Sequence, residues 1–193
     1  VIKAAVKKYS ALKHEVLIVA GVGGSNLGTL AIWRALRGKQ EIGFAETLDA
    51  RRLDRILKYV EKKDRGPAII IIVSKSGATT ETIANAAVLL SKLQKNDKVV
   101  AITDENSKLW QWAVKKSVDV LATPAETGGR YSVFTAVSLF PLGLAGINIE
   151  KLLAGARKAK EETAKQSAKE IFENGKAIHD IFIYLPIKHK TGS

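Results

Sequence analysis

Apolar runs of five or six residues alternate with longer segments whose apolar residues recur at helical spacing. The run Ile69–Val73 is apolar throughout, which is typical of a central strand buried on both faces of a sheet. The predicted strands are Val16–Ala20, Phe44–Leu48, Ile69–Val73, Lys98–Thr103 and Val118–Ala122. The predicted helices are Ile2–Leu12, Asn26–Leu36, Ala50–Glu61, Thr80–Leu93 and Ser107–Lys116. This alternation predicts an α/β fold in which helices cover both faces of a doubly wound, five-stranded parallel sheet.

The pattern changes after the fifth predicted strand. A loop over residues 124–129 leads into the apolar segment Tyr131–Ala145, and a long charged helical segment follows over Glu150–Phe182. The short run Ile183–Leu185 has the composition of a further strand. We therefore expect one domain over residues 1–148 and a C-terminal helical extension over residues 149–193.

Two of the predicted strands end in turns rich in glycine and hydroxyl side chains. The first turn is Gly21–Gly28, with the sequence GVGGSNLG, and the second turn is Ser74–Glu81, with the sequence SKSGATTE. Each leads into a predicted helix, whose free N–H groups and positive dipole end favour a bound anion. Turns that follow parallel strands lie at the carboxyl edge, where open α/β sheets bind ligands. The pair therefore predicts a phosphate site, and we expect a sugar phosphate there.

The first turn departs from two common nucleotide-binding motifs. Asn26 stands where the dinucleotide fingerprint needs glycine or alanine, and Gly28 is followed by Thr29 and Leu30 rather than by the lysine and hydroxyl residue of a P-loop. A structural glycine turn is the alternative reading of this segment. For the second turn, the alternative is a set of hydroxyl residues that caps its own helix.

A third segment, Gly128–Ser132 with the sequence GGRYS, follows the last predicted strand. This segment resembles the G-G-R-[FY]-S signature of the glucose-6-phosphate isomerase family, and the first turn resembles that family's G-I-G-G-S-x-L-G motif. The second turn resembles the S-x-S-G-x-T-x-E phosphate loop of sugar isomerase (SIS) domains. The resemblance extends to about residue 180, and Thr127 and Ser138 are small departures from it. It implies an SIS-type, flavodoxin-like sheet corresponding to the family's first SIS lobe.

The resemblance also implies roles for individual residues. Arg130 matches the family's active-site arginine, a fixed cation that stabilises the negative cis-enediolate. Its alternative reading is a surface arginine paired with an acid. Gly128 and Gly129 let the backbone approach the sugar. The implied phosphate-binding residues are Gly24, Ser25, Ser74, Lys75, Ser76 and Thr79, with Gly24 and Lys75 contributing backbone N–H groups and with Thr82 and Gly129 as further candidates.

The implied reaction interconverts glucose 6-phosphate and fructose 6-phosphate, with no metal and no cofactor. Moving a proton between C1 and C2 needs a general base. The family's base is a glutamate from beyond the first lobe, and no segment here matches the later motifs. The three histidines are not assigned to catalysis: we expect His14 at the surface, His179 packed on a helix, and no role for His189.

We therefore expect the chain to correspond to the N-terminal lobe of such an isomerase, with the second lobe absent. By itself it is expected to bind sugar phosphate weakly and to turn over little or nothing. The full-length protein is expected to be a homodimer, and the apolar Tyr131–Ala145 segment suits either dimer packing or the core.

Composition narrows the class of partner. The net charge is +12, but the basic residues are dispersed over predicted helices with acids nearby. Aromatic residues make up only 6% and do not alternate with the basic ones, so we expect no nucleic-acid partner. No apolar run reaches membrane-spanning length, and the N-terminus lacks the apolar core of a signal peptide. The absence of cysteine suits a cytoplasmic protein.

Three other functions stay open at this point. A non-catalytic SIS sensor of sugar phosphate would share the second turn, but such regulators lack the GGRYS segment. An SIS isomerase or aminotransferase lobe could act on a different sugar phosphate. A basic nucleic-acid binder would show a steep fall of affinity with salt.

Overall fold

The computed structural model describes residues 1–163, in which strands and helices alternate. The strands are β1 (Val16–Ala20), β2 (Gly43–Ala45), β3 (Ala68–Val73), β4 (Lys98–Thr103) and β5 (Asp119–Ala122). The helices are α1 (Ile2–Ser10), α2 (Leu27–Leu36), α3 (Ala50–Val60), α4 (Thr80–Leu90), α5 (Lys108–Lys115), α6 (Ala136–Leu144) and α7 (Ile149–Thr163). Two 3₁₀ turns lie at Gly23–Ser25 and Gly129–Phe134.

The five strands form one parallel sheet in the order β2-β1-β3-β4-β5, which confirms the predicted α/β fold. β1 and β3 are neighbours although β2 lies between them in the sequence. The winding direction of the chain reverses there, and such a reversal opens a crevice at the carboxyl edge of the sheet. Ala20 of β1 pairs with Ile72 of β3, so the first and second turns leave the sheet side by side.

The predicted end of the second strand is wrong. The prediction was Phe44–Leu48, whereas β2 ends at Ala45. The Asn85 side-chain amide donates to the carbonyls of Ala45 and Thr47, and the Thr47 hydroxyl accepts from the N–H of Asp49, which caps α3. Side chains thus hold the backbone after Ala45 in a turn. The other strands and α1–α5 agree with the predicted bounds to within three residues.

β3 is buried along its whole length because strands flank both its edges and helices cover both its faces. On one face the core includes Phe140 of α6, and on the other it includes Leu89 of α4. The predicted apolar segment therefore supplies the core through α6, while Tyr131 and Phe134 stay exposed.

Tyr9 anchors α1 to α6 and to the start of β5, an edge strand of the sheet. Its ring meets the Phe140 ring edge-on at 5.6 Å, and its hydroxyl donates to Asp119 Oδ2 at 2.8 Å. Lys8 also donates to Asp119, and hydrogen bonds from Lys8 and Tyr9 hold the pKa of this carboxyl below its usual value.

The chain divides into two compact units, Val1–Ile149 and a unit that begins at Glu150. Of the predicted helical extension, the structure describes α7, which ends at Thr163. The rest of that segment, the predicted strand Ile183–Leu185 and the residues His179 and His189 lie outside the described residues. Within the described part, no helix is both long enough and apolar enough to cross a membrane.

Candidate functional site

The two helices that follow the glycine-serine turns, α2 and α4, lack a side-chain N-cap, as does α1 at the start of the chain. The N-termini of α3, α5 and α6 are capped by the side chains of Asp49, Ser107 and Thr135. The N-cap residues of α2 and α4 are Asn26 and Thr79, and neither makes a side-chain capping bond. Uncapped N-termini leave N–H donors and the positive dipole end available to an anion.

Further backbone donors are unbonded within these turns. The N–H groups of Gly24, Lys75 and Ser76 donate to no acceptor within residues 1–163. The Ser25 hydroxyl is likewise unbonded in the described part of the chain, since only its N–H is paired, with Val22 O. Groups of this kind bind phosphate when they lie at helix N-termini.

One small cleft, of about 20 Å³, joins the three sequence motifs. Ser25 of the first turn, Lys75 of the second turn and Gly129 of the GGRYS segment all line it. The remaining lining residues are Val73, Thr123, Thr127, Ser132 and Val137. A cleft of this volume has room for about one or two water-sized groups, so most of a sugar phosphate would lie outside it.

The backbone of Gly24 packs directly on the peptide unit between Gly129 and Arg130. A Cβ atom at Gly24 would lie 2.3 Å from Gly129 C and 2.6 Å from Arg130 N. These are backbone atoms that cannot rotate away, so this approach requires glycine. The contact holds the segment that carries Arg130 against the first turn.

The Lys75 side chain ties the second turn to the same part of the chain. Its Nζ donates to the carbonyls of Ala125 at 2.6 Å and Thr127 at 3.2 Å, and it lies 3.9 Å from Asp104 Oδ2. Residues 124–132, which we call the arginine segment, are therefore held by both turns. The resemblance implied a backbone role alone for Lys75, because a side chain that bonds to carbonyls of a distant loop leaves no local pattern in the sequence.

Arg130 itself is exposed, and its guanidinium forms no hydrogen bond or ion pair within residues 1–163. The surface ion pair that was its alternative reading is thus not present in the described structure. Its position depends on the backbone of the arginine segment.

The hydroxyl groups of the second turn do not all face the cleft. Ser74 is buried, and its Oγ lies 3.2 Å from Thr79 Oγ1 and accepts from Gly77 N. Ser76 is exposed, and its Oγ accepts from Ala78 N. Ser74 and Thr79 thus shape the turn, whereas Ser76 lies at its surface. A phosphate role for each stays a prediction.

A second cavity, of about 240 Å³, lies on the other side of the second turn, between α4 and α5. It is lined by Thr82, Ile83, Leu109 and Trp112 among others. Thr82 is 1% exposed and its hydroxyl has no partner in the described structure. Its predicted outer contact with phosphate therefore stays untested.

His14 is not at the surface as expected. It is half-buried, with both ring nitrogens inaccessible, and burial lowers its pKa. In the described residues, no group of three or more acidic or histidine side chains could hold a metal ion.

The fold and the paired uncapped turns define an α/β domain of the sugar isomerase class. The chain matches the family described as phosphoglucose isomerase over residues 3–182. It is 34% identical over 183 residues to the glucose-6-phosphate isomerase of Methanocaldococcus jannaschii, which covers 92% of this chain and 44% of that protein. It is 40% identical over 162 residues to the enzyme of the same name from Mycoplasma mycoides subsp. mycoides, covering 77% of this chain and 37% of that protein. The chain therefore belongs to the phosphoglucose isomerase family.

Solved structures share the fold of this chain. A hypothetical protein from Thermus thermophilus superposes with a TM-score of 0.75 at 30% identity, over 88% of this chain and 42% of that one. A tagatose-6-phosphate ketose/aldose isomerase from Escherichia coli, at 21% identity and a TM-score of 0.50 over 73% of this chain and 39% of that one, shares the fold. The chain spans less than half the length of the curated relatives described above.

Proposed function

We propose that the chain is the phosphate-holding part of a glucose-6-phosphate isomerase, which interconverts glucose 6-phosphate and fructose 6-phosphate through a cis-enediolate. The observation that carries this proposal is the pair of uncapped helix N-termini, α2 and α4, at the ends of adjacent strands. Two positive dipole ends with unbonded N–H groups favour a dianionic ligand. The family relatives support the choice of a hexose phosphate.

In this proposal, the N–H groups of Gly24, Lys75 and Ser76 and the hydroxyls of Ser25 and Ser76 bind the phosphate. Ser74 and Thr79 hold the shape of the second turn, and their own contact with the phosphate stays a prediction. The Arg130 guanidinium approaches the sugar at C1 and C2, where its fixed positive charge stabilises the enediolate. The sugar lies largely outside the small cleft, open to groups from other parts of the protein.

Proton transfer between C1 and C2 needs a general base, and the described residues that line the cleft include no carboxylate or imidazole. Asp104 accepts a hydrogen bond from Thr123 and lies near Lys75, two of the residues that line the cleft. We propose that the 193-residue chain binds the substrate and that turnover needs a base from elsewhere in the full-length enzyme. A cytoplasmic homodimer is part of the same proposal.

Isothermal titration calorimetry of this chain is expected to show binding of fructose 6-phosphate and none of fructose at the same concentrations. Ser25→Ala removes an unbonded hydroxyl from the cleft, and losing a hydrogen bond to a charged group is expected to weaken binding about tenfold. Ser91→Ala is the matched control because that hydroxyl bonds to Val88 O at the far end of α4. It is expected to leave the affinity unchanged.

If fructose bound as tightly as fructose 6-phosphate, the result would contradict the phosphate site. Equal effects of Ser25→Ala and Ser91→Ala would contradict it too. A coupled assay for isomerisation is expected to detect no turnover by the chain alone. Measurable conversion would show that the base lies within these 193 residues.

A further inference from the structure

Ser132 is a buried hydroxyl residue at the meeting point of the first turn and the arginine segment. It is 4% exposed, and its Oγ lies 2.6 Å from Gly129 O and 3.3 Å from Gly24 O. A hydroxyl has one proton to donate, so the shorter bond to Gly129 O dominates and the bond to Gly24 O is the weaker branch. Ser132 is thus bonded to both sides of the glycine contact.

The same residue is fixed to the core of the domain. Its carbonyl accepts from the Thr135 hydroxyl at 2.7 Å, and that hydroxyl in turn accepts from Val137 N at the start of α6. α6 is buried against the sheet, so it gives Ser132 a rigid support. Ser132 therefore fixes the arginine segment to the sheet through its carbonyl and to the first turn through its hydroxyl.

Arg130 needs such a support because nothing in the described residues holds its guanidinium. Lys75 holds the arginine segment near its beginning, through the carbonyls of Ala125 and Thr127. At its end, the segment is held by Ser132 and by the packing of Gly24 on Gly129. Fixed charges stabilise a developing anion only when they are positioned before the reaction.

We propose that Ser132 is a positioning residue, which sets the place of the Arg130 guanidinium relative to the phosphate bound at the two turns. This inference rests on the proposed function. It assigns Ser132 no contact with the substrate. Although Ser132 lines the cleft, its hydroxyl donates to Gly129 O, and the arginine's contribution to binding depends on that bond.

Two ligands separate this role from a general structural one. Inorganic phosphate reports on the two turns alone. The second ligand, 6-phosphogluconate, carries a phosphate and, at C1, a carboxylate that imitates the charge of the enediolate, so it reports on Arg130 as well. We expect the wild-type chain to bind 6-phosphogluconate more tightly than phosphate, and Arg130→Ala to remove most of that difference.

Ser132→Ala is expected to weaken 6-phosphogluconate binding about fivefold, the effect of one lost hydrogen bond, and to change phosphate binding less than twofold. In an Arg130→Ala background the same substitution is expected to have no further effect, because Ser132 acts through Arg130. The matched control is Ser138→Ala, another buried serine, whose Oγ accepts from Thr29 Oγ1 at 2.9 Å and does not line the cleft. It is expected to leave both affinities unchanged.

Equal weakening of both ligands by Ser132→Ala, an undiminished effect in the Arg130→Ala background, or no effect at all overturns the positioning role while the proposed function stands. Failure of the wild-type chain to bind either phosphate compound overturns the proposed function and this inference with it. If Ser132→Ala does not fold, Ser132→Cys keeps the size of the side chain but weakens the donor, and the same selective loss is expected.

Discussion

Gly24→Ala is expected to abolish measurable binding of fructose 6-phosphate to this chain. The new Cβ atom would lie 2.3 Å from Gly129 C and 2.7 Å from Gly129 O, so the first turn and the arginine segment must separate. Separation moves Gly24 N–H and Arg130 away from each other, and both are proposed ligand contacts. Overpacking of this kind also costs about 1–3 kcal/mol of stability. Calorimetry with fructose 6-phosphate and thermal unfolding measure the two effects.

Gly43→Ala is the matched control for this substitution. A Cβ atom at Gly43 would meet Ile18 Cγ1 at 3.4 Å and Ile56 side-chain carbons at 3.8 Å, which are ordinary contacts. It adds the same methyl group to a glycine of the edge strand and is expected to leave binding unchanged. Binding by the Gly24→Ala chain within twofold of wild type would contradict the close glycine packing.

Arg65→Met is expected to lower the free energy of unfolding by about 3–5 kcal/mol, because it leaves a buried carboxylate without its cation. Arg65 and Asp97 form a bidentate ion pair at 2.7 and 2.6 Å, with side chains 2% and 1% exposed. Asp97 also accepts from Ala68 N and Gln94 N, so the pair joins the start of β3 to the turn before β4. Urea unfolding measures the loss.

The exposed pair of Lys58 and Asp54 supplies the control. Its atoms are 3.0 Å apart, but the side chains are 72% and 61% exposed. Lys58→Met is therefore expected to cost less than about 0.5 kcal/mol. A similar cost for the two substitutions would contradict the special role of the buried pair.

The effect of Arg65→Met is expected to shrink in acid. Burial alone would raise the pKa of Asp97, but the hydrogen bonds from Arg65, Gln94 N and Ala68 N outweigh it and hold the pKa below its usual value. A carboxyl with a lowered folded-state pKa contributes its stability above the unfolded pKa of about 3.9, and loses it as pH falls through the lower folded value. Unfolding at pH 7 and pH 3 tests this, and an equal loss at both pH values would contradict it.

The parallel sheet could be predicted from the sequence because each strand is recognisable from its own residues. An uninterrupted apolar run such as Ile69–Val73 is compatible with few places other than the middle of a covered sheet. The end of β2 was mispredicted because it depends on Asn85, whose amide reaches two carbonyls some forty residues earlier. No pattern within Phe44–Leu48 contains that information.

The candidate site, too, could be predicted from the sequence only in part. The turns were recognised from glycine and hydroxyl content, yet composition does not say which hydroxyl faces the ligand. Ser74 and Thr79 bond within the turn, whereas Ser25 has no such partner in the described part of the chain. Ser132 lay inside a recognised motif, but its role depends on the carbonyl of Gly24, which folding alone brings close.

The run of four isoleucines in β3 affects how this protein aggregates. Such a segment has the β-propensity and lack of charge that favour stacking between chains. In the native sheet it is shielded by β1 and β4, and the outermost strands, β2 and β5, contain only three and four residues. Edge strands this short offer few unpaired backbone groups to another molecule. We therefore expect aggregation to begin only when the whole sheet opens. Thermal unfolding is then expected to be irreversible and steeply dependent on protein concentration.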